Sequence, residues 1–289
     1  MKLTLSSIFI LMTLCCTITA QEKILIYPKG ATESNEIAVA QSNRDADFVL
    51  NISEPRMYAY PASKETNTGT AVLICPGGGY SGVSAIKEGE EIARWFNTLG
   101  VTAFVLYYRM PNGHWEIPLK DAQAALAIIH KRAKEMHIDK TKIGIMGFSA
   151  GGHLASTVGT HFKSKTQRPD FMILCYPVVT MKKELTHGGS RKNLLGQNPS
   201  EELVNLYSNE LQVTKKTPPT FMVHAIDDKT VPIANSEQLL KALKDKNIPA
   251  ELHTFEVGGH GFGMQKQGIP ADYWPDLLKT WLQTTKLIK

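Results

Sequence analysis

From residue 57 to the C-terminus, short apolar runs alternate with segments in which apolar residues recur every three or four positions. Most runs are apolar throughout, which is typical of strands buried on both faces, and they predict strands at 71–75, 103–107, 142–146, 171–175, 221–225 and 251–255. The periodic segments predict helices at 88–97, 119–136, 151–160, 235–246 and 273–284. This alternation predicts the α/β class, with a mostly parallel central sheet and helices on both of its faces.

Two segments depart from this alternation. Residues 180–219 are only weakly periodic and are interrupted by pairs of glycines and prolines. Because a connection of this length is more often functional than idle, we expect it to form a short cap over the strand ends. Residues 21–51 predict only a short edge strand near Ile24. We interpret residues 21–289 as a single domain.

The first twenty residues differ from the rest of the chain. Lys2 precedes an apolar stretch from Ile8 to Cys16, and small and polar residues follow up to Ala20. This pattern is typical of a secretory signal peptide, and its apolar stretch is shorter than the roughly 20 residues that a membrane-spanning helix needs. We therefore expect an exported protein, periplasmic or secreted, with no membrane span. Lipid attachment at Cys15 or Cys16 stays open.

Composition and charge narrow the function classes. Hydrophobic residues make up 43% of the chain and charged residues 20%, as in ordinary globular domains. The 32 basic residues alternate with 27 acidic ones, so the net charge of +5 forms no basic run that would predict nucleic-acid binding. No cluster of ligand residues predicts a metal, and we expect no cofactor. Cys75 and Cys175 end apolar runs and are expected to be buried free thiols. The sequence leaves the oligomeric state open.

The segment Gly147-Phe148-Ser149-Ala150-Gly151 joins the predicted strand at 142–146 to the predicted helix at 151–160. A G-x-S-x-G pattern between a strand and a helix is the nucleophile elbow of α/β-hydrolases. Small flanking residues let the strand and the helix approach closely while the serine takes a strained backbone conformation. The sequence therefore predicts the α/β-hydrolase fold, with Ser149 as a nucleophile at the start of a helix.

A serine nucleophile needs a histidine base within hydrogen-bond reach and an acid that orients this base. In α/β-hydrolases the acid and then the histidine follow the serine along the chain. His260 satisfies this order, and it lies among glycines just after the predicted strand at 251–255. His187, in the expected cap, and His253, within a strand, are weaker candidates. The sequence therefore predicts His260 as the base.

The orienting acid is expected just after the predicted strand at 221–225. Asp227 and Asp228 stand side by side at this point. Two adjacent carboxylates cannot both face one imidazole, so one of them is expected to cap the turn instead. These residues alone leave the choice open.

Glycines after the predicted strand at 71–75 can bring backbone amides close to a substrate. An oxyanion that forms during acyl transfer needs free N–H donors, and we expect them from Gly78, Gly79 and Ala150. The same loop matches the dinucleotide fingerprint as Gly77-x-Gly79-x-x-Gly82, which leaves an NAD(P)-binding alternative. That match alone is weak, because no acid ends the next strand to bind a ribose hydroxyl.

Five motifs together resemble secreted bacterial α/β-hydrolases of the acetyl xylan esterase and feruloyl-esterase-like kind, some of which are labelled xylanase by association. The resemblance runs from about residue 71 to the C-terminus and rests on CPGGGY at 75–80, YRMPNGH at 108–114, IMGFSAGGH at 145–153, DDKTVP at 227–232 and GHGF at 259–262. Similar hydrolases place the acid three residues before the valine of a D-x-x-V-P turn. The resemblance therefore implies Asp228 as the acid, with Asp227 as the fallback.

The resemblance also implies a serine esterase that removes short acyl groups, most often acetyl, from plant polysaccharides or oligosaccharides such as xylan. The expected partner is thus an acylated carbohydrate. Candidate substrate contacts in loops after strands are Tyr80, Asn112, His114 and Trp115, with packing within the loop as the alternative for each. Two alternatives are a serine peptidase of the prolyl-oligopeptidase type and a non-catalytic carbohydrate-binding protein on a hydrolase scaffold.

Overall fold

An eight-stranded sheet forms the centre of residues 21–289, which are the residues that the computed structural model describes. The expected signal peptide, residues 1–20, lies outside them. The strands are β1 Glu22–Leu25, β2 Ser42–Asn43, β3 Phe48–Leu50, β4 Arg56–Tyr60, β5 Ala71–Cys75, β6 Gly82–Ser84, β7 Thr102–Tyr107, β8 Ile143–Phe148, β9 Met172–Cys175, β10 Thr220–Ala225 and β11 Ala250–Phe255. The helices are α1 Glu91–Thr98, α2 Glu116–Arg132, α3 Ser149–Thr160, α4 Gly188–Leu195, α5 Glu201–Leu206, α6 Ala234–Asp245 and α7 Trp274–Thr284.

The strand order of the central sheet is β1-β4-β7-β5-β8-β9-β10-β11. β1 and β4 pair antiparallel, as do β4 and β7, and the remaining pairs are parallel. The six predicted strands are confirmed as β5 and β7 to β11, with ends that differ by at most two residues. The edge strand near Ile24 is confirmed as β1. Because parallel strands end at the same edge of a sheet, the loops after β5, β8, β10 and β11 meet there.

Strand β4 and a small three-stranded sheet, in the order β2-β3-β6, were not predicted from the sequence. β2, β3 and β6 are only two or three residues long, too short for a periodicity to show. A π-helical turn, Ile86–Glu90, runs directly into α1, where the sequence predicts one helix at 88–97. Helix α2 begins three residues before its predicted start and ends four residues before its predicted end.

Side chains on alternate positions of the strands fill two cores, one on each face of the sheet. In β5, Leu73 packs with the core beneath helices α2, α3 and α6, whereas Val72 and Ile74 pack with the core beneath α1 and α7. All three side chains are fully buried. A strand that is buried on both faces is apolar at every position, and this explains the continuous apolar runs in the sequence.

The predicted cap segment, residues 180–219, contains α4, α5 and a short 3₁₀ turn, Asn209–Leu211, between strands β9 and β10. Asn193 in α4 donates a hydrogen bond of 2.8 Å from Nδ2 to the carbonyl oxygen of Gly79. Asn209 donates from Nδ2 to Ser156 Oγ, at 2.8 Å, in helix α3. The segment is thus tied both to the glycine loop after β5 and to the helix that follows Ser149.

Cys75 and Cys175 are buried free cysteines, as predicted. Each ends a strand of the sheet interior, and burial raises the pKa of both thiols. Within residues 21–289, none of the helices combines the length and the apolar character needed to cross a membrane.

Candidate active site

Ser149 lies at the turn between β8 and α3 with a backbone φ of +52°, in the left-handed region. The neighbouring glycines make this turn sterically feasible. A Cβ at Gly147 would overlap the carbonyl oxygen of Gly151, and one at Gly151 would overlap the carbonyl oxygen of Cys75. Ser149 is 7% exposed. The backbone of β8 and α3 therefore presents the serine hydroxyl at the carboxyl edge of the sheet.

The structure brings Ser149, His260 and Asp228 together, although the first and second lie 111 positions apart. His260 Nε2 lies 2.8 Å from Ser149 Oγ, and His260 Nδ1 lies 2.7 Å from Asp228 Oδ2. Since a carboxylate only accepts hydrogen bonds, Nδ1 carries the proton and Nε2 is left to accept from the serine hydroxyl. This is the proton arrangement that a serine nucleophile requires of its base.

The two adjacent aspartates have different partners. Asp228 is buried and faces His260, and its Oδ1 also accepts the backbone amides of Thr230 and Val231, each at 2.9 Å. Asp227 is exposed and its Oδ1 accepts the backbone amides at 258 and 259, at 3.0 and 2.7 Å. Asp227 therefore holds the glycine turn that carries His260, while Asp228 contacts the imidazole.

Hydrogen bonding decides the charge of Asp228. Burial by itself would raise the pKa of Asp228, but hydrogen bonds from His224 and His260 outweigh it and hold the pKa well below the usual range of an aspartate. The carboxyl group is therefore ionised at neutral pH. In this state it holds the proton of His260 on Nδ1 and would stabilise an imidazolium formed at His260.

The glycine loop after β5 places backbone amides beside Ser149. Gly78 and Gly79 line the same cleft as Ser149, and both have positive φ, +146° and +62°. A Cβ at Gly78 would overlap the carbonyl oxygen of Gly82, so glycine is required at 78. No acceptor among residues 21–289 takes the amide hydrogens of Gly78, Gly79 or Ala150. Ala150 follows Ser149 in the first turn of α3, where amides have no partner within the helix.

A buried carboxyl group that the sequence did not reveal supports this loop from behind. Glu88 is 6% exposed, and its Oε2 accepts the amide of Gly77 at 2.7 Å. Its Oε1 accepts from the Tyr176 hydroxyl at 2.8 Å, and this hydroxyl oxygen also accepts the amide of Gly263 at 3.2 Å. Burial raises the pKa of Glu88, and the hydrogen bonds from Tyr176 and Gly77 offset this increase only in part. The network joins the glycine loop to the loop that carries His260.

A cleft of about 520 Å³ opens over Ser149. Its lining includes Arg44, Lys87 and Phe48, together with His187 and Asn193 from the cap segment. Phe48 is the only Phe, Tyr or Trp among its lining residues, all of which lie within 21–289. The cleft therefore offers few aromatic side chains and many hydrogen-bonding groups.

The His187 ring does not lie where a base for Ser149 would have to lie. Its Nδ1 bonds with Ser190 at the start of α4, with 2.9 Å to the hydroxyl and 3.2 Å to the amide. Burial lowers the pKa of His187, and the nearby His260 lowers it further. His253 bonds with Glu251 at 3.1 Å on the exposed part of β11. Neither ring contacts the Ser149 hydroxyl.

None of the four candidate substrate contacts lines the cleft over Ser149. Tyr80 is 2% exposed and its hydroxyl lies 2.8 Å from His153 Nδ1 in the core. Asn112 donates to the backbone carbonyl of Asn35 at 3.1 Å. His114 and Trp115 line a separate surface depression. A loop at the correct edge of a sheet can still direct its side chains away from the site.

The dinucleotide alternative does not match the structure of its loop. The fingerprint requires the third glycine to lie at the start of a helix whose amides bind a pyrophosphate. Gly82 instead begins strand β6 and is buried against Phe48 and Leu50. Residues 21–289 also contain no group of three or more His, Cys, Asp or Glu side chains arranged to hold a metal ion.

Comparison with known proteins gives one family match and several similar relatives. Residues 57–243 match the BD-FAE family. An acetylxylan esterase from Xylanibacter ruminicola is 36% identical over 254 residues, which are 84% of this chain and 52% of that protein. An endo-1,4-beta-xylanase B from Butyrivibrio fibrisolvens is 37% identical over 221 residues, 72% of this chain and 34% of that protein. The chain thus spans about half or less of the length of these two relatives.

One solved structure is similar to this protein over nearly the whole length of both chains. The acetyl ester-xyloside bifunctional hydrolase from Caldicellulosiruptor lactoaceticus has a TM-score of 0.79 and 36% identity, with 93% of this chain and 97% of that chain covered. A carboxylesterase from Lactobacillus plantarum, at 24% identity and a TM-score of 0.71, shares the fold. These findings confirm the resemblance that the motifs carry. The chain belongs to the BD-FAE family of α/β-hydrolase esterases.

Proposed function

We propose that the protein is a serine esterase that hydrolyses short acyl esters, most often acetyl esters, on xylan or its oligosaccharides. The observation that carries this proposal is the continuous hydrogen-bonded chain from Ser149 Oγ through His260 to Asp228 at the floor of a polar cleft. The similarity to an acetylxylan esterase and to an acetyl ester-xyloside hydrolase supports the choice of substrate.

The proposed reaction has two steps. His260 Nε2 takes the proton of the Ser149 hydroxyl while Oγ attacks the ester carbonyl carbon, and the resulting oxyanion accepts hydrogen bonds from the amides of Gly78, Gly79 and Ala150. The bond between the acyl carbon and the sugar oxygen breaks, and His260 gives its proton to this oxygen, so that the sugar leaves as an alcohol. Water, deprotonated by His260, then attacks the acyl-enzyme; the bond between the acyl carbon and Ser149 Oγ breaks, and His260 returns the proton to Oγ, which releases the carboxylic acid and the free serine.

The lining of the cleft favours a small acyl group on a polyhydroxyl alcohol. An aromatic acyl group such as feruloyl gains most of its affinity by stacking on and burying against apolar surface. Apart from Phe48, the residues that line the cleft are glycines or carry hydroxyl, amide, imidazole or charged groups, which are suited to sugar hydroxyls. We therefore expect acetyl esters to be better substrates than feruloyl esters.

Acetate release from acetylated xylan tests the proposal. The wild-type protein is compared with Ser149→Ala, and feruloyl esters and a peptide substrate are measured beside it. We expect acetate release that falls by about 10⁴-fold or more in the variant. Equal rates for the two proteins would contradict an enzymatic serine, and faster cleavage of the peptide would favour the peptidase alternative. Binding to xylan without turnover would favour the carbohydrate-binding alternative.

A further inference from the structure

Asp228 is contacted by a second histidine, His224, from strand β10. The sequence gives His224 no obvious role, because it lies within an apolar strand and is fully buried. Its Nε2 lies 2.9 Å from the carbonyl oxygen of Val231 and 3.2 Å from Asp228 Oδ2. Its Nδ1 lies 2.8 Å from the Ser236 hydroxyl in helix α6. Both ring nitrogens therefore have polar partners.

The partners determine the protonation of the His224 ring. Val231 O and the Asp228 carboxylate can only accept hydrogen bonds, so Nε2 carries a hydrogen. The Ser236 hydroxyl can either donate to Nδ1 or accept from it, and Nε2 carries its hydrogen in both cases. The N–H of Nε2 bonds to Val231 O, and Nε2 lies 3.2 Å from Asp228 Oδ2, close enough for the polar N–H group to attract the carboxylate. Oδ2 is the oxygen that also accepts from His260 Nδ1, at 2.7 Å.

Donors surround the Asp228 carboxylate on all sides. Two backbone amides bond to Oδ1, His260 Nδ1 bonds to Oδ2, and His224 Nε2 lies 3.2 Å from the same Oδ2. Together these contacts on both oxygens fix the plane of the carboxylate. Without His224, nothing but His260 itself would hold Oδ2 in position.

We propose that His224 is a positioning residue for the esterase reaction, which holds Asp228 Oδ2 in the place and orientation that His260 Nδ1 needs. This inference rests on the proposed function, since the orientation of Asp228 matters only if His260 is the base. The other titratable groups that face His260 are Glu88, behind the glycine loop, His187, at the start of α4, and Tyr176, whose ring centroid lies 5.1 Å from that of the imidazole. None of them contacts His224, so a change at position 224 leaves them in place.

Loss of the donor at position 224 has two consequences. Asp228 Oδ2 loses one of its two polar neighbours, so its position against His260 Nδ1 is less tightly held although Oδ1 keeps its two backbone amides. Turnover therefore falls, and the loss of one polar contact to a charged group corresponds to about 10- to 100-fold in kcat. The charge of Asp228 is also less well compensated, which raises the pKa of Asp228 and holds the proton on His260 more firmly. The acid limb of the pH profile of kcat/KM therefore moves to higher pH.

Two amide variants isolate the donor. The amide nitrogen of glutamine in His224→Gln can occupy the place of Nε2, whereas asparagine in His224→Asn reaches only the place of Nδ1. His153 provides a matched control. It is equally buried, with Nδ1 2.8 Å from the Tyr80 hydroxyl and Nε2 2.8 Å from the carbonyl oxygen of Tyr207, and it contacts none of the three residues of the hydrogen-bonded chain.

The experiment measures kcat and KM for p-nitrophenyl acetate against pH in all variants, with active enzyme counted by the burst of p-nitrophenol. We expect His224→Gln to stay within about threefold of wild type, and His224→Asn to lose about 10- to 100-fold in kcat with little change in KM and with a shifted acid limb. His153→Asn should keep both the wild-type kcat per active enzyme and the wild-type acid limb.

A wild-type acid limb and kcat in His224→Asn, per active enzyme, would overturn the proposal, because the residue would then serve stability alone. Equal losses in His224→Gln and His224→Asn without a shift of the acid limb would do the same. The proposed function fails differently, through wild-type turnover in Ser149→Ala. The two failures are therefore distinguishable within the same set of assays.

Discussion

The exchange of one oxygen for nitrogen at Asp228 should abolish most turnover, while the same exchange at Asp227 should not. In Asp228→Asn, the amide carbonyl will take the place of Oδ1, because two backbone N–H groups point at that position. The NH₂ group then faces His260 Nδ1 and forces this nitrogen to accept a hydrogen bond. His260 must consequently carry its proton on Nε2, where it can no longer take the proton of Ser149.

In serine hydrolases with this arrangement of Ser, His and Asp, the wrong histidine tautomer lowers kcat by about 10⁴-fold. This loss corresponds to about 5 kcal/mol of barrier height. Asp227→Asn keeps a carbonyl oxygen for the amides at 258 and 259, so we expect kcat within about fivefold of wild type.

The assay is the initial rate of p-nitrophenyl acetate hydrolysis, with thermal unfolding to verify that both variants fold. A collapse of kcat in Asp227→Asn with normal turnover in Asp228→Asn would contradict the role of Asp228, because it would show that the neighbouring carboxylate orients the base. Equal and small effects in both variants would also refute it.

Three further changes test the surroundings of the site. Gly78→Ala should lower kcat by about 100-fold, because its Cβ would displace the glycine loop. Gly268 also has a positive φ but faces open space, so Gly268→Ala should lower stability and leave kcat unchanged. Equal losses of kcat in the two variants would contradict a steric role of Gly78. Burial lowers the pKa of His153 from 6.5 to about 4, so the unfolded chain takes up a proton here before the folded one does. The free energy of unfolding should therefore fall by about 3 kcal/mol as the pH falls from 6.5 to 4. In urea unfolding, His153→Gln should flatten this part of the pH dependence. Asp121→Ala leaves the buried Arg109 without its partner at 2.6 Å and should lower the free energy of unfolding by about 3–5 kcal/mol, whereas a loss below about 1 kcal/mol would show that water reaches the guanidinium.

The sequence predicted those features whose cause is local. The strand, the turn and the helix around Ser149 lie within a short segment, because a strained serine needs small neighbours on both sides. His260 followed from chain order and from its glycine-rich turn. The parallel strands of the centre were found because burial on both faces makes them apolar throughout.

The features that the sequence did not predict depend on contacts between segments that lie far apart along the chain. Glu88 and Tyr176 lie 88 positions apart, and nothing in the helical pattern around Glu88 indicates a buried carboxyl group beneath the glycine loop. Asn193 and Gly79 are 114 positions apart, so the cap segment's bond to this loop had no sequence signal. The expectation for Tyr80 failed because its place in a loop at the active edge does not fix the direction of its side chain.

The most direct test of the account is the identity of the covalent intermediate. Rapid quenching of the reaction with an acetyl ester, followed by peptide mass spectrometry, should find one acetyl group on the peptide that contains Ser149, and none at this position in Ser149→Ala. Full turnover of the ester in Ser149→Ala, or an acetyl group on another residue of the cleft, would contradict the claim that Ser149, His260 and Asp228 act as one catalytic unit.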